Sequence, residues 1–451
     1  MLGALVCAGF SSCQQEADKL KLVILEPGHF HAALVQKESN PDLADEVFVY
    51  APQGAELDAY LALVEGYNTR EEAPTAWVPT LISTHDYLDQ FSQNPQGDIV
   101  VLAGNNRYKI RNIGLATERG LHVLSDKPMV ITPESFPLLE QAYQRAEEQG
   151  VILYDLMTER YNDLNIIQRA LMADERLFGA LQQGTPSSPA IESESIHHFI
   201  KMVSGAPMQR PMWYYDVEQQ GDGIADVTTH LIDQIMWKCF PEEAINYRTD
   251  VVLHSASRWP TIFTKEDYQL STGATEYPDY LLKDVKDDLL SIYANGKMEF
   301  AIRGVHVSLV VEWHKQAPEG TGDRHKFIVR GSNATLSILQ GEKEGYQPRL
   351  YVERAAGAEL SEEAFLAVLN EAVARIAEHY PGLSVQPTES GAYLVDLPAE
   401  LNSNHESHFN KVVQRFVEYV KAGKQPEWEV ANTLSKYYIT TQSLSLAKEQ
   451  K

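Results

Sequence analysis

Leu20-Lys21-Leu22-Val23-Ile24-Leu25-Glu26-Pro27-Gly28 is a short, nearly unbroken apolar run that stops at a proline and a glycine. Apolar residues on successive positions predict a strand buried on both faces, which is the texture of a parallel sheet. The Ala32-Ala33-Leu34-Val35 stretch that follows is helix-like. The same strand signal returns at Val47-Phe48-Val49-Tyr50, at Ile99-Val100-Val101-Leu102-Ala103 and at Leu121-His122-Val123-Leu124, and Val151-Ile152-Leu153-Tyr154 reads as the last of the series. Helical stretches such as Arg111 to Arg119 and Glu134 to Gln149 alternate with these strands, which predicts βαβ units. Residues 20–150 are therefore expected to form a doubly wound α/β domain around a parallel sheet.

From about residue 190 the texture changes. Lys297 to Ile302, Val305 to Val311 and Lys326 to Gly331 alternate apolar and polar residues at period two, the mark of a half-exposed antiparallel sheet. Residues 151–451 are expected to be an α+β domain with a large, mostly antiparallel sheet. It opens with a helix over Asp163 to Ala173, carries a polar helical insertion at about 356–400 and ends in an amphipathic helix from His408 to Ala422. Residues 1–19 stand apart as a leader and linker. Met1 to Cys13 is apolar, then small, then a cysteine, followed by the polar stretch Gln14 to Lys19, and it lacks a basic start. It reads either as the end of a secretory signal with a lipobox, which makes Cys13 the lipidated residue of an exported lipoprotein, or as a buried apolar strand. No other stretch has the roughly 18 apolar residues of a spanning helix, so membrane attachment is expected only through that anchor. Cys239 is then the single remaining thiol, without a disulfide partner, and its neighbours Trp237 and Phe240 place it in the core.

The chain has 451 residues, 44% hydrophobic and 22% charged, as a soluble globular protein of two or three domains would. A formal net charge of -25 excludes the basic face that nucleic acid needs to displace its counterions. No repeat or low-complexity tract is present. His314, His325, His405 and His408 lack the spacing to carboxylates or cysteines that would argue for zinc, and no metal site is expected.

Two stretches carry chemistry. Gly221-Asp222-Gly223-Ile224-Ala225-Asp226-Val227-Thr228-Thr229-His230-Leu231-Ile232-Asp233 sets an acid and an imidazole four apart on a segment apolar enough to be helical, so that Asp226 can orient His230 as a proton carrier. Asp233, one turn from His230, reads as a second orienting acid or as plain surface. Upstream, Leu124-Ser125-Asp126-Lys127-Pro128-Met129 puts a lysine at the C-terminal end of a strand, where ligands of α/β sheets bind. In order and spacing these motifs resemble the Gfo/Idh/MocA family of nicotinamide-dependent sugar and cyclitol oxidoreductases. Its Glu-Lys-Pro motif is matched by Asp126-Lys127-Pro128, and its Asp-x-x-x-His motif by Asp226 and His230. The resemblance covers roughly residues 20 to 345 and implies a Rossmann-like first domain, NAD or NADP as cofactor and a carbohydrate substrate. It also implies homo-oligomerisation through one face of the antiparallel sheet. In these terms His230, polarised by Asp226, takes a hydroxyl proton while Lys127 stabilises the developing charge on that oxygen.

The glycine loop departs from the family pattern. Glu26-Pro27-Gly28-His29-Phe30-His31 retains one glycine, and Ala51-Pro52-Gln53-Gly54 lacks the acid that usually holds the ribose. Gly28, His29 and Phe30, the loop residues Asn105 and Asn106, and Lys127 are the expected cofactor contacts. His198, Trp213, Asp216, Trp259 and Asp233 are the expected substrate contacts, with Tyr161 or His198 as a second base. Because free NAD is scarce outside the cytoplasm, an exported enzyme is expected to hold its cofactor tightly and to run a redox-neutral oxidation, elimination or epimerisation, and re-reduction. Glycoside hydrolase family 109, to which the chain has some similarity, works by such a route. The competing expectation is a non-catalytic glycan-binding lipoprotein that retains the fold.

Overall fold

The computed structural model describes residues 19–203 and 206–449. Cys13 and the leader lie outside the described residues. The chain divides into two compact units.

Unit 1 comprises the chain up to Met129, together with Pro137–Leu156 and Glu406–Gln425. Its sheet has strands β1 (Leu20–Leu25), β2 (Leu43–Tyr50), β3 (Val78–Ile82), β4 (Ile99–Leu102), β5 (His122–Ser125) and β6 (Leu153–Asp155), in the order β3-β2-β1-β4-β5-β6. All pairings are parallel. This is the expected Rossmann-like sheet, with its topological switch between β1 and β4. Every residue of β4 is buried, as the unbroken apolar run requires. β3 was not legible in the sequence: Val78-Pro79-Thr80-Leu81-Ile82 is a largely exposed edge carrying a proline, the composition tolerated at an edge. The helix His405–Ala422 brings Phe409, Val412, Val413, Phe416 and Val417 into the interior of unit 1 from the far end of the chain.

Unit 2 comprises Val130–Phe136, Met157–His405 and Pro426–Lys451. Its sheet contains β7 (Ile191–Ile200), β8 (Val251–Phe263), β9 (Leu289–Ile302), β10 (Val305–Gln316), β11 (Arg324–Arg330), β12 (Ala334–Gln340), β13 (Arg349–Arg354), β14 (Ser384–Pro387) and β15 (Tyr393–Asp396). The order is β8-β9-β10-β7-β11-β12-β13-β15-β14. Only β10 and β7 pair in parallel among these neighbours, which makes the sheet mostly antiparallel as expected. Residues 356–400 hold the helix Glu362–Ile376, and also β14 and β15, which extend the sheet.

The core of unit 2 joins the inward residues of the strands, such as Phe300, Leu309, Phe327 and Leu336, to one face each of the helices Asp163–Met172 (Ile167, Leu171), Thr228–Cys239 (Leu231, Ile235) and Glu362–Ile376 (Phe365, Leu369). Each such side chain contributes about 1.5–3 kcal/mol by leaving water. Cys239 is only partly buried, packed against this core rather than inside it. The 23-residue helix Glu427–Glu449 carries no apolar stripe, yet buries Glu429, Asn432, Thr433, Ser435, Lys436, Thr440 and Thr441. No helix among the described residues is long and apolar enough to cross a membrane.

Candidate functional site

In unit 1 the loops after β1, β4 and β5 meet at the carboxyl end of the sheet. Glu26 ends β1 with a left-handed φ of 50°, and its carboxylate accepts hydrogen bonds from Tyr87 Oη (2.6 Å), Asn112 Nδ2 (2.7 Å) and Arg111 Nη2 (3.1 Å). Gly104 lies so close beneath it that an added Cβ would overlap the Glu26 carbonyl oxygen. His31 Nδ1 is 2.9 Å from Asp126 Oδ2 and His29 Nδ1 is 3.8 Å from it. The ligating atoms of His29, His31 and Asp126 all lie within 4.8 Å of one another, a set that could hold a metal ion and that no sequence spacing announced. Lys109, buried, donates to Asn106 Oδ1 (2.6 Å) and to the Asp126 carbonyl (2.8 Å). Burial opposes ionisation of Asp126, but the charges and hydrogen bond of His31, with Lys109 beyond, hold its carboxyl well below the usual range.

The expected cofactor contacts are distributed as follows. Asn105 caps the helix Asn106–Glu118 by accepting from the Arg107 amide (3.1 Å), Asn106 holds Lys109, and Phe30 is half exposed. Lys127 is partly buried immediately after Asp126.

A nicotinamide dinucleotide can be tested against these loops. An added Cβ at Gly28 would lie 3.1 Å from Glu56 Oε2 and 3.4 Å from the Gly104 Cα, so this position is kept bare and has a carboxylate beside it. Glu56, six residues past the end of β2, places beside Gly28 an acid of the kind that Ala51 to Gly54 lacks. It was missed because it lies beyond the turn, inside the following helix Ala55–Thr69. The amides of Gly28 and His29 both donate to the Ala103 carbonyl (3.1 and 3.0 Å), and the helix His31–Leu34 is a single turn. The glycine, the acid and the strand-end lysine fit a dinucleotide anchored through its ribose more than through a cradle around its pyrophosphate.

In unit 2 the helix begins at Thr228, so His230 is in its first turn while Asp226 lies in the turn before it rather than one helical turn away. That approach is fixed by Gly223, whose amide donates to the Tyr293 carbonyl (3.0 Å) and whose added Cβ would overlap the Ala294 carbonyl. Asp226, 5% exposed, accepts from Gln220 Nε2 (3.0 Å). His230 lines a cavity of about 290 Å³ whose wall includes Glu159, Asn162, Asn165, His197, Gln234, Asp323 and His325. Burial, with the nearby charge of Lys238, pushes the His325 imidazole down to about 3, so it stays neutral. Lys238, itself buried and lowered to about 7 by burial, is held by Asn165 Oδ1 (2.7 Å), Gln168 Oε1 (2.8 Å) and Gln234 Oε1 (3.1 Å).

None of the expected substrate residues His198, Trp213, Asp216, Trp259 and Asp233 lines that cavity. Asp233 accepts two bonds from Arg160 (2.6 and 2.7 Å) and one from Lys436 (3.2 Å), and Arg160 also binds Glu429 (2.8 Å), all within the interior. Asp216 is fully buried and organises its own turn, accepting from the Glu218 amide (3.1 Å) and Gln219 Nε2 (2.9 Å). Trp213 and His198 are 8% and 5% exposed and are absent from the cavity wall. Of the residues that line the cavity, the sequence had put forward His230 as a site residue, and His325 was noted only as lacking a zinc-like spacing; Ser195 and His197 share the period-two face of a strand, but Asp323 has no local signal.

Residues 167–448 match the family model described as "putative oxidoreductase C terminal domain". Among solved structures, the chain is 43% identical to a "putative oxidoreductase" from Parabacteroides merdae, covering 96% of this chain and 98% of that one with a TM-score of 0.93. It shares its fold with KijD10, a 3-ketoreductase from Actinomadura kijaniata solved with NADP and TDP-benzene (14% identity, TM-score 0.54, 95% and 98% covered). It also shares it with the biliverdin reductase of Synechocystis sp. PCC 6803, solved with biliverdin and NADP+ (10% identity, TM-score 0.55, 95% and 99% covered). No curated protein matches the chain by sequence.

Proposed function

Because this chain belongs to the family of that oxidoreductase C-terminal domain, we propose that it is an NAD(P)-dependent oxidoreductase of a sugar or glycoside. In this proposal it keeps its cofactor bound and returns the electrons within each turnover. The observation that carries the reading is the cavity around His230, walled mostly by imidazoles, amides and carboxylates, with Val227, Leu231, Ile338 and Pro348 completing the wall. Such a lining matches a ligand that is mostly hydroxyls, each able to donate and accept.

The nicotinamide supplies, when bound, the capacity to take up and give back a hydride. His230 accepts the proton of the hydroxyl being oxidised, and the Asn, Gln and Glu side chains of the wall orient the remaining hydroxyls. In unit 1, Gly28 and Glu56 hold the nucleotide, and Lys127 keeps the role of stabilising negative charge on an oxygen. The leader ending at Cys13 makes the protein an exported lipoprotein in this proposal.

Mass spectrometry of nucleotide released on denaturation tests the reading. About one NAD(H) or NADP(H) per chain is expected. Protein that carries none, and whose melting does not move with either cofactor, is instead a glycan-binding relic of the fold. The hydrogen bonds from the Gly28 and His29 amides to Ala103 are the observation that favours that second reading.

A further inference from the structure

β7 alternates its side chains, so Ser195 and His197 share the face that lines the cavity of His230. His197 is held on three sides. Its ring stacks on Trp313 (centroids 4.9 Å apart, planes at 27°), Nδ1 lies 3.5 Å from Asp323 Oδ2, and Nε2 lies 2.8 Å from Ser195 Oγ. Asp323 also accepts from His198 Nδ1 (2.9 Å) and Lys201 Nζ (2.5 Å). Burial resists its ionisation, but the hydrogen bonds from His197, Lys201 and His198 hold it well below the usual carboxylate range. A carboxylate at Nδ1 keeps the proton there and leaves the lone pair on Nε2, where the Ser195 hydroxyl donates to it.

A serine, a histidine and an aspartate in this order suggest an acyl-transfer nucleophile first. Ser195, however, is in the middle of a strand paired on both sides, with Val311 on β10 and His325 on β11. The amides around it serve those ladders and do not form the oxyanion hole that acyl transfer needs. What remains is an oriented imidazole in the same cavity as His230. Oxidation of one hydroxyl releases one proton, for which His230 suffices; a second fixed base implies a second proton.

We propose that His197, oriented by Asp323, removes the proton from a ligand carbon adjacent to a carbonyl, with the Ser195 hydroxyl swinging aside. This rests on the sugar reading above. The C–H bond breaks, its electron pair becomes the C=C of an enolate whose charge sits on the carbonyl oxygen, and the proton passes to Nε2. Return of a proton from His197 to that carbon restores the ketone, so nothing is oxidised, reduced or consumed. The step is the one that turns an oxidised sugar toward elimination or epimerisation. Asp323 is a positioning residue here.

A methyl hexopyranoside bearing a ring ketone, mixed with the full chain in D2O and followed by proton NMR, reads this step without any redox turnover. Wild-type protein is expected to replace the hydrogen next to the ketone by deuterium well above the buffer rate. His197→Ala should lose about 10²- to 10⁴-fold, and added imidazole should restore part of it. Besides Asp323, the titratable groups around His197 are His198 and Lys201 on that carboxylate, Arg324 and His325 on β11, and Glu159 and His230 in the cavity wall. Asp323→Asn removes the anion that favours the imidazolium, so its rising pH–rate limb should move to lower pH with a lower plateau. Ligand-observed NMR on the same samples gives the affinity. A ketone that binds but exchanges only at the buffer rate, or as fast with His197→Ala, overturns this proposal alone. A ketone that does not bind at millimolar concentration overturns the sugar reading and this proposal with it.

Discussion

Asp233→Asn removes one carboxylate from a buried group of two cations and two anions: Arg160, Lys436, Asp233 and Glu429, with side chains 7%, 0%, 3% and 5% exposed. The variant keeps its shape but takes an anionic partner away from both Arg160 and Lys436. Breaking a buried ion pair by deleting one partner costs about 3–5 kcal/mol. At about 2–4 °C per kcal/mol, the unfolding midpoint of unit 2 should fall by roughly 6–20 °C at neutral pH.

The pH dependence adds a second signature. The Asp233 carboxyl is held at about 2 in the fold, down from 3.8; burial opposes this, and the charges of Arg160 and Lys436 outweigh it. A carboxyl lowered by folding stabilises above its unfolded value, and that stabilisation disappears as pH falls through its folded value. Wild-type protein should therefore lose about 2 kcal/mol from this group between about pH 5 and pH 2. Asp233→Asn should lack that limb. Adding Lys436→Met restores neutrality, and the double variant should be less destabilised than the sum of the singles by roughly 0.5–3 kcal/mol. Scanning calorimetry from pH 7 to pH 2 reads all three. A midpoint within 2 °C of wild type for Asp233→Asn, or strict additivity in the double variant, would refute the claim that these four charges stabilise one another.

His230→Ala should lower turnover by about 10²- to 10⁴-fold while sugar affinity, measured by calorimetric titration, stays within a few-fold; unchanged turnover would remove His230 from the chemistry. Gly28→Val places a side chain against Glu56 Oε2 and the Gly104 Cα, so nucleotide retention measured by mass spectrometry should be lost while the far-ultraviolet dichroism is kept. Cys13→Ala should shift the protein from the membrane fraction to the soluble one, because an acyl anchor contributes about 0.8 kcal/mol per buried CH₂; wild-type protein already soluble in the cytoplasm would contradict the lipoprotein reading.

What was legible in the sequence was local. Val23-Ile24-Leu25 and Ile99-Val100-Val101-Leu102 announce buried parallel strands because a strand covered on both faces admits no polar residue, and the period-two stretches of β9 to β11 announce a sheet covered on one. Gly223 stands in the stretch before His230, but the Ala294 carbonyl that requires a glycine there lies some seventy positions later in a different element. His197 lies beside His198, which the sequence did put forward, and was not itself picked out. Nothing near it in the chain says that Asp323 will orient it, because hydrogen-bond partners brought in by β-ladders leave no periodic trace.

The sequence by itself determined the buried strands other than the edge strand β3, the two textures and the place of Lys127 at a strand end, since each follows from which residues exclude water, and it marked Asp226 and His230 by their spacing along one segment. Only the tertiary structure decided that Asp233 belongs to an interior ion group rather than to a ligand, that Glu56 stands beside Gly28, and that the helix Glu427–Glu449 is buried despite its polar composition. In each case the deciding partner is far away in sequence. A polar residue enters the interior when a distant partner satisfies its hydrogen bonds and charge, and that satisfaction exists only once the chain has closed on itself.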